Sequence, residues 1–226
     1  MEKEYLKKIE ELQQEIDQLK KELNFYKKAS IKDILTGVLN RRGIYEEFGI
    51  VFNEVLTQKE RNRRVKIKDF SIVFVECDNF KKINDTFGHR KGDLVLKFIA
   101  QSLRRNFRKM DLVGRWGGDE FIVGVVGSNE SQAALRAKRV KRKIENDFYK
   151  KFNHQKEKIN FSLSLGIVSF QNYQPESLKN LINQADKVMY WGREKKGKAS
   201  IALYSEYKYF LNNKANNKTN NQNGLN

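Results

Sequence analysis

Gly114-Arg115-Trp116-Gly117-Gly118-Asp119-Glu120-Phe121 lies between two apolar runs, Leu112-Val113 before it and Ile122-Val123-Gly124-Val125-Val126 after it. That arrangement predicts a β-hairpin with its tip at Gly117-Gly118. Two glycines permit positive φ at both central positions, which a type I′ turn requires. The tip carries adjacent carboxylates, Asp119 and Glu120, beside main chain without side chains. Such a pairing suits a hard cation and a phosphate close to the backbone. Taken alone it equally describes a solvated acidic turn, so the surrounding chain has to decide.

Upstream, Phe70-Ser71-Ile72-Val73-Phe74-Val75 predicts a buried central strand. It runs into Glu76-Cys77-Asp78, and carboxylates at the end of an apolar strand are costly to bury unless charge meets them. A helix follows with Leu94, Val95, Phe98, Ile99 and Leu103 on one face. Earlier, Asn40 reads as the N-cap of a helix burying Ile44, Phe48, Val51, Phe52, Val55 and Leu56, which leaves through a basic loop at 59–68. Downstream, a helix is predicted from Ser131 to about Phe152. A strand over 159–170 follows, in which Phe161, Leu163, Leu165 and Ile167 alternate with small residues. Pro175-Glu176-Ser177 opens another helix, and Lys195-Lys196-Gly197-Lys198 leads to a short strand over 200–203. This order predicts one α/β domain with a mixed or antiparallel sheet.

Residues 2–28 follow a different period. Ile9, Ile16 and Leu23 fall at heptad position a, and Tyr5, Leu12, Leu19 and Tyr26 at d. β-branched residues at a with leucine at d favour a parallel two-stranded coiled coil. Glu15 and Glu22 at g then oppose Lys20 and Lys27 at e′, each pair contributing at most a few tenths of a kcal/mol. A single amphipathic helix on its own domain is the alternative. The coil is favoured because the other faces are charged throughout.

The 226 residues suit one domain plus an extension, and 39% hydrophobic content with fifteen Phe supports a sizeable core. A single cysteine, Cys77, excludes an internal disulfide and fits a reducing compartment. No apolar run approaches the roughly 18 residues a membrane span needs, and no signal peptide is visible, so a cytoplasmic protein without membrane contact is expected. The net charge of +17 is spread along the chain without aromatic-basic interleaving, which argues against nucleic acid as partner.

Several separated motifs, in order, resemble the GGDEF-domain family of diguanylate cyclases over about residues 33–205. They are Asp33-x-Leu-Thr36-Gly-x-x-Asn40-Arg41-Arg42, Asp78-x-Phe80-Lys81-x-Ile-Asn84-Asp85, Gly88-His89-x-x-Gly92-Asp93, the tip itself, and Ala185-Asp186-x-x-Met-Tyr190. The resemblance implies a central, mainly antiparallel sheet wrapped by helices, like the palm of class III nucleotide cyclases. It also divides the chain into a coiled-coil helix at 1–32, a catalytic domain at 33–211 and a disordered Asn/Lys-rich tail at 212–226.

The implied reaction condenses two GTP to cyclic di-GMP with loss of two pyrophosphates, one GTP per chain, in a homodimer. The coiled coil would hold the halves together or relay a signal from a sensor partner. Position by position, the resemblance implies Mg²⁺ or Mn²⁺, two per half-site, on Glu76, the Cys77 main-chain carbonyl and Asp119. Asp119 and Glu120 are the implied catalytic pair. Asn84 and Asp93 would hold guanine. His89, Phe80, Lys81, Arg115, Gly117, Gly118, Arg193 and Lys198 would border the nucleotide, with Lys195 and Lys196 as alternatives to Lys198. Arg108-x-x-Asp111, with Arg139, matches the family's inhibitory product site. Two positions depart from the pattern: Glu76 stands where aspartate is usual, and Arg193 where lysine is usual. The alternative function is a degenerate domain that receives GTP or cyclic di-GMP without turnover.

Overall fold

The computed structural model describes residues 2–57, 67–152 and 159–223. A 29-residue helix, α1 (Glu2–Ser30), precedes the domain. There follow α2 (Arg41–Thr57), β1 (Phe70–Asp78), α3 (Phe80–Phe87), α4 (His89–Asn106), β2 (Leu112–Arg115), β3 (Glu120–Val126) and α5 (Glu130–Phe152). The chain ends with β4 (Ser162–Ser169), α6 (Phe170–Tyr173), α7 (Leu178–Lys196), β5 (Ile201–Leu203) and α8 (Tyr204–Asn223). The strands form one sheet in the order β2-β3-β1-β4-β5. Every pairing is antiparallel except β4 with β5, which is parallel. This is the mainly antiparallel, helix-wrapped sheet expected.

β1 reads as an unbroken apolar run because both its faces are covered. Val73, Val75 and Cys77 pack with α4 and α5 through Val95, Ile99, Ala137 and Ile144. Phe70, Ile72 and Phe74 pack on the opposite side with Phe48 of α2 and Ile182 of α7. Alternation along the strand thus feeds two cores, one on each face of the sheet. On the first side Phe148 stacks on Phe161 at 3.9 Å between ring centres.

The Asn40 cap falls where the sequence puts it, and Ser177 caps α7. Asn40 Oδ1 accepts from the Gly43 N–H at 2.9 Å, and Ser177 Oγ from the Asn180 N–H at 3.2 Å. Each satisfies a first-turn donor with no partner inside its helix.

Several expectations are corrected. The hairpin tip is not a two-residue type I′ turn: four residues, 116–119, join β2 to β3, and neither Gly117 nor Gly118 has positive φ. The Trp116 N–H still closes the loop on the Glu120 carbonyl at 2.9 Å. Leu94 is 51% exposed, because the buried stripe of α4 runs through Gly92, Val95, Leu96, Ile99 and Leu103 and position 94 falls beside it. The tail expected to be disordered from residue 212 is helical through Asn223 as the continuation of α8. That helix starts by docking aromatic residues: Tyr207 and Phe210 meet Trp191 of α7 at 5.6 and 5.7 Å between ring centres. The basic loop read at 59–68 lies almost wholly outside the described residues.

Among the described residues no helix is long and apolar enough to cross a membrane. Along the seam of α1, Tyr5, Ile9, Leu12, Ile16, Leu19, Leu23 and Tyr26 are between 46% and 67% exposed in the single chain.

Candidate active site

The end of β1 and the tip of the hairpin meet in register. Glu76 lies opposite Glu120 across the β1–β3 pairing, and the Cys77 N–H donates to the Asp119 carbonyl at 3.2 Å. Two acidic segments more than forty positions apart are thereby fastened main chain to main chain. The Cys77 side chain turns away into the core, so only its backbone can reach the site. Burial pushes its thiol well above the usual range, reinforced by the charges of Asp119, Asp78 and Glu76.

Crowding of like charge marks the site. Burial raises the Asp119 carboxyl, and the facing Glu76 charge raises it further; Arg193 and Arg115 offset part of this. Glu120 is raised by burial and by Asp186, Asp119 and Glu76. Asp186, on α7, is raised by burial and by Glu76. Carboxylates held together at such a cost suit a cation. Among the described residues no three His, Cys, Asp or Glu side chains form a ready cage. The donor set therefore fits an ion shared with a ligand that brings its own oxygens, as a triphosphate does.

Asp78 is fully buried and belongs to the scaffold. Ser162 and Ser164 hydroxyls donate to its two oxygens at 2.7 and 2.8 Å, and the Ala199 N–H adds a third bond at 2.9 Å. It anchors the loop between α7 and β5 to the end of β1. Arg193, in the last turn of α7, pairs through Nη1 with Glu76 Oε1 and brings Nε to 3.7 Å from Asp78 Oδ1. Lys198 Nζ donates to Asn79 Oδ1 at 2.5 Å. Asn79 turns the chain from β1 into α3 at φ 60° and makes no side-chain cap. The first N–H groups of α3 are thus left without a side-chain acceptor, a setting suited to phosphate.

On α3 and α4 the predicted base-binding residues come together. Asn84 Oδ1 is buried with no hydrogen-bond partner. It lies so close to Gly92 that a Cβ there would stand 1.9 Å away, with the Phe80 ring at 3.2 Å. Asp93 is the next residue and is exposed, as are His89 and Lys81. An unpartnered buried carbonyl beside an open carboxylate fits a ligand edge carrying N–H donors.

Arg115, expected at the nucleotide, is engaged within the protein. Nη1 reaches Asp33 at 3.2 and 3.3 Å, while Nε and Nη2 donate to the Gly118 carbonyl at 3.1 and 2.7 Å. It clamps the tip to the segment before α2. Asp33 also accepts from the Thr36 N–H at 2.8 Å and its hydroxyl at 2.5 Å. Burial acts to raise the Asp33 carboxyl, but the Thr36 bonds and the Arg115 charge outweigh it and hold it below the usual range. Above the tip, the Arg41 guanidinium lies 4.3 Å from the Trp116 ring centre.

Away from this site, Arg108 and Arg139 line one cavity of about 800 Å³ with Arg136, Gln132 and Leu135. Asp111 lies outside it but lines a second cavity, of about 710 Å³, with Arg108 and Arg105. Its buried carboxylate accepts from the Arg108 N–H at 2.9 Å and the Val126 N–H at 3.1 Å, and pairs with Arg136 at 3.2 Å. Its carboxylate, which the resemblance puts at a product site, is thus held by internal partners, while the residue borders the second cavity together with Arg108. Arg136 and Asp186 are the residues here that sequence reasoning did not single out. Asp186 stood inside a quoted motif without a role, and the i,i+3 spacing of Arg136 to Arg139 was the available signal for the other.

Comparison with known proteins agrees with the geometry. Residues 30–199 match the family described as diguanylate cyclase, GGDEF domain. Diguanylate cyclase A of Treponema denticola is 36% identical over 129 residues, 57% of this chain and 34% of that protein. Diguanylate cyclase DosC of Escherichia coli K12 is 33% identical over 172 residues, 76% of this chain and 35% of that protein. The chain thus spans about a third of the length of these relatives. In fold it is similar to the coiled coil and GGDEF domain of DgcB from Caulobacter crescentus, solved with c-di-GMP. That likeness has a TM-score of 0.68 and 18% identity, covering 87% of this chain and 97% of that one. With a site of this shape and a match over most of its length, the chain belongs to the GGDEF-domain family.

Proposed function

We propose that the chain is a diguanylate cyclase that joins two GTP into cyclic di-GMP, each GTP held by one of two paired chains. The observation that carries this reading is the fastening of the Glu76–Cys77 strand end to Asp119 at the hairpin tip. In each half-reaction the 3′-oxygen of one GTP attacks the α-phosphorus of the other and displaces pyrophosphate; the hydroxyl proton leaves, and Asp119 is the base within the site. Mg²⁺ or Mn²⁺ on Glu76, Asp119 and the Cys77 carbonyl, two per half-site, would neutralise the triphosphate. Asn84 and Asp93 hold guanine, the start of α3 with Lys198 and Arg193 faces the phosphates, and the Arg115 clamp keeps the tip in place. Product inhibition is assigned to the arginine-lined cavity, through Arg108 and Arg139. Incubating the purified chain with GTP and Mg²⁺ should yield cyclic di-GMP, and Asp119→Ala should abolish it with an unchanged melting temperature. Absence of product from the parent chain would refute the reading.

One observation favours a second reading. Glu76 is tied to Arg193, so a receptor that holds nucleotide without turnover is consistent with the pair. In that case GTP binds the parent chain and no cyclic di-GMP forms.

A further inference from the structure

The two departures from the family pattern, Glu76 and Arg193, lie 117 positions apart, and the fold joins them in one ion pair. Both side chains are largely shielded, Arg193 at 23% and Glu76 at 19% exposure. The surroundings are fixed. Asp78 is held by Ser162, Ser164 and the Ala199 N–H, and Lys198 ties the same loop to Asn79. The backbone that carries Arg193 is therefore pinned, and what remains movable is its long side chain at the helix end. Glutamate is one methylene longer than aspartate, and that length is what carries the carboxylate across to α7. A guanidinium is charged at every pH of interest and its planar fork suits phosphate as well as carboxylate. It cannot stay against Glu76 when a divalent ion takes the same oxygens, because the two cations repel.

We propose that Arg193 is an exchangeable counter-ion: it neutralises Glu76 while no nucleotide is bound and passes to the triphosphate when nucleotide and cation enter. The inference rests on the reading of Glu76 as a cation ligand. It makes Arg193 a positioning residue that couples the two loading steps. A cation arriving alone must displace the guanidinium without giving it another anion; one arriving with nucleotide supplies that anion.

The test uses Mn²⁺ as probe on the full chain, without nucleotide, with free ion read by electron paramagnetic resonance. Arg193→Met removes the charge and keeps the apolar stem. It should bind Mn²⁺ about tenfold more tightly than the parent, as expected for removal of one adjacent like charge. The same variant should bind GTP in EDTA about tenfold more weakly. Arg193→Lys keeps the charge with a shorter reach and should fall between. If Arg193→Met does not fold, Arg193→Gln takes its place, since it also removes the charge and leaves every proposed cation ligand untouched, and Mn²⁺ should again tighten. Unchanged or weaker Mn²⁺ binding in the folded variants would overturn the proposal and leave Arg193 a fixed strut. Tighter Mn²⁺ binding with no cyclic di-GMP from the parent supports the exchange and removes only the synthetic reading.

Discussion

Asp33 shows how a residue outside the chemistry governs it. Its carboxylate bonds Thr36 and Arg115, and Arg115 in turn holds the Gly118 carbonyl beside Asp119. The folded state holds this carboxyl below its ordinary range, so the charged form is stabilising. That stabilisation is present above the unfolded value and is lost as pH falls through the lowered one. Asp33→Asn should therefore lower the melting temperature by about 2–4 °C at neutral pH. The deficit should shrink as the pH is taken below about 4, which thermal melts at several pH values check. Gly92 makes a second case. Its missing Cβ is what lets Asn84 Oδ1 sit where it does. Gly92→Ala should displace that amide and raise the KM for GTP at least about tenfold, with kcat changed less. Equal loss in both parameters would show that Asn84 acts beyond binding. The carboxylates of the tip and the cap at Asn40 were legible from residue type and local spacing. The engagement of Arg115 was not, because its partner Asp33 stands 82 positions away and only the fold brings them together.

Among the elements, strands were legible from composition, since β1 and β3 are apolar on both faces and could belong only to the middle of a sheet. The helical course of α8 was hidden by an Asn-rich sequence whose helix propensity is low. It is set by packing at its start, where Tyr207 and Phe210 meet Trp191. Helix α5 separates two arginines one turn apart into two tasks. Arg136, though it also borders the cavity, is paired with the buried Asp111 carboxylate, while Arg139 lines the cavity with Arg108. Removing Arg136 leaves a buried charge with one partner fewer, so Arg136→Ala should cost about 1–3 kcal/mol in denaturant unfolding. Arg108→Ala and Arg139→Ala should leave stability within about 0.5 kcal/mol. Each should also raise the cyclic di-GMP concentration needed for half inhibition by about tenfold. If Arg136→Ala alone relieved inhibition while Arg139→Ala did not, the assignment of tasks along α5 would be reversed.

At the scale of the molecule, the described residues of one chain present one set of the acidic and base-binding groups proposed above, and the proposed reaction consumes two nucleotides. Joining them needs a second chain facing the first. The α1 seam offers the means: its a and d residues are half exposed in the single chain, and no other stripe on that helix is apolar. Over three to four heptads such a seam is marginal by itself. In the proposed reaction its effect on catalysis would nonetheless be large, because tethering two half-sites raises the local concentration of each for the other. Ile16→Lys puts a charge at a central a position, and the partner chain would put a second beside it. The variant should sediment as a monomer and keep its melting temperature, since Ile16 is 49% exposed and belongs to neither core cluster of the domain. Its rate per chain should rise in proportion to chain concentration, where the parent's rate per chain is constant. At high concentration the two should converge, because the half-sites themselves are intact. A monomeric Ile16→Lys chain with full turnover at low concentration would mean that the halves find each other through another surface, and α1 would then have no part in assembling the site.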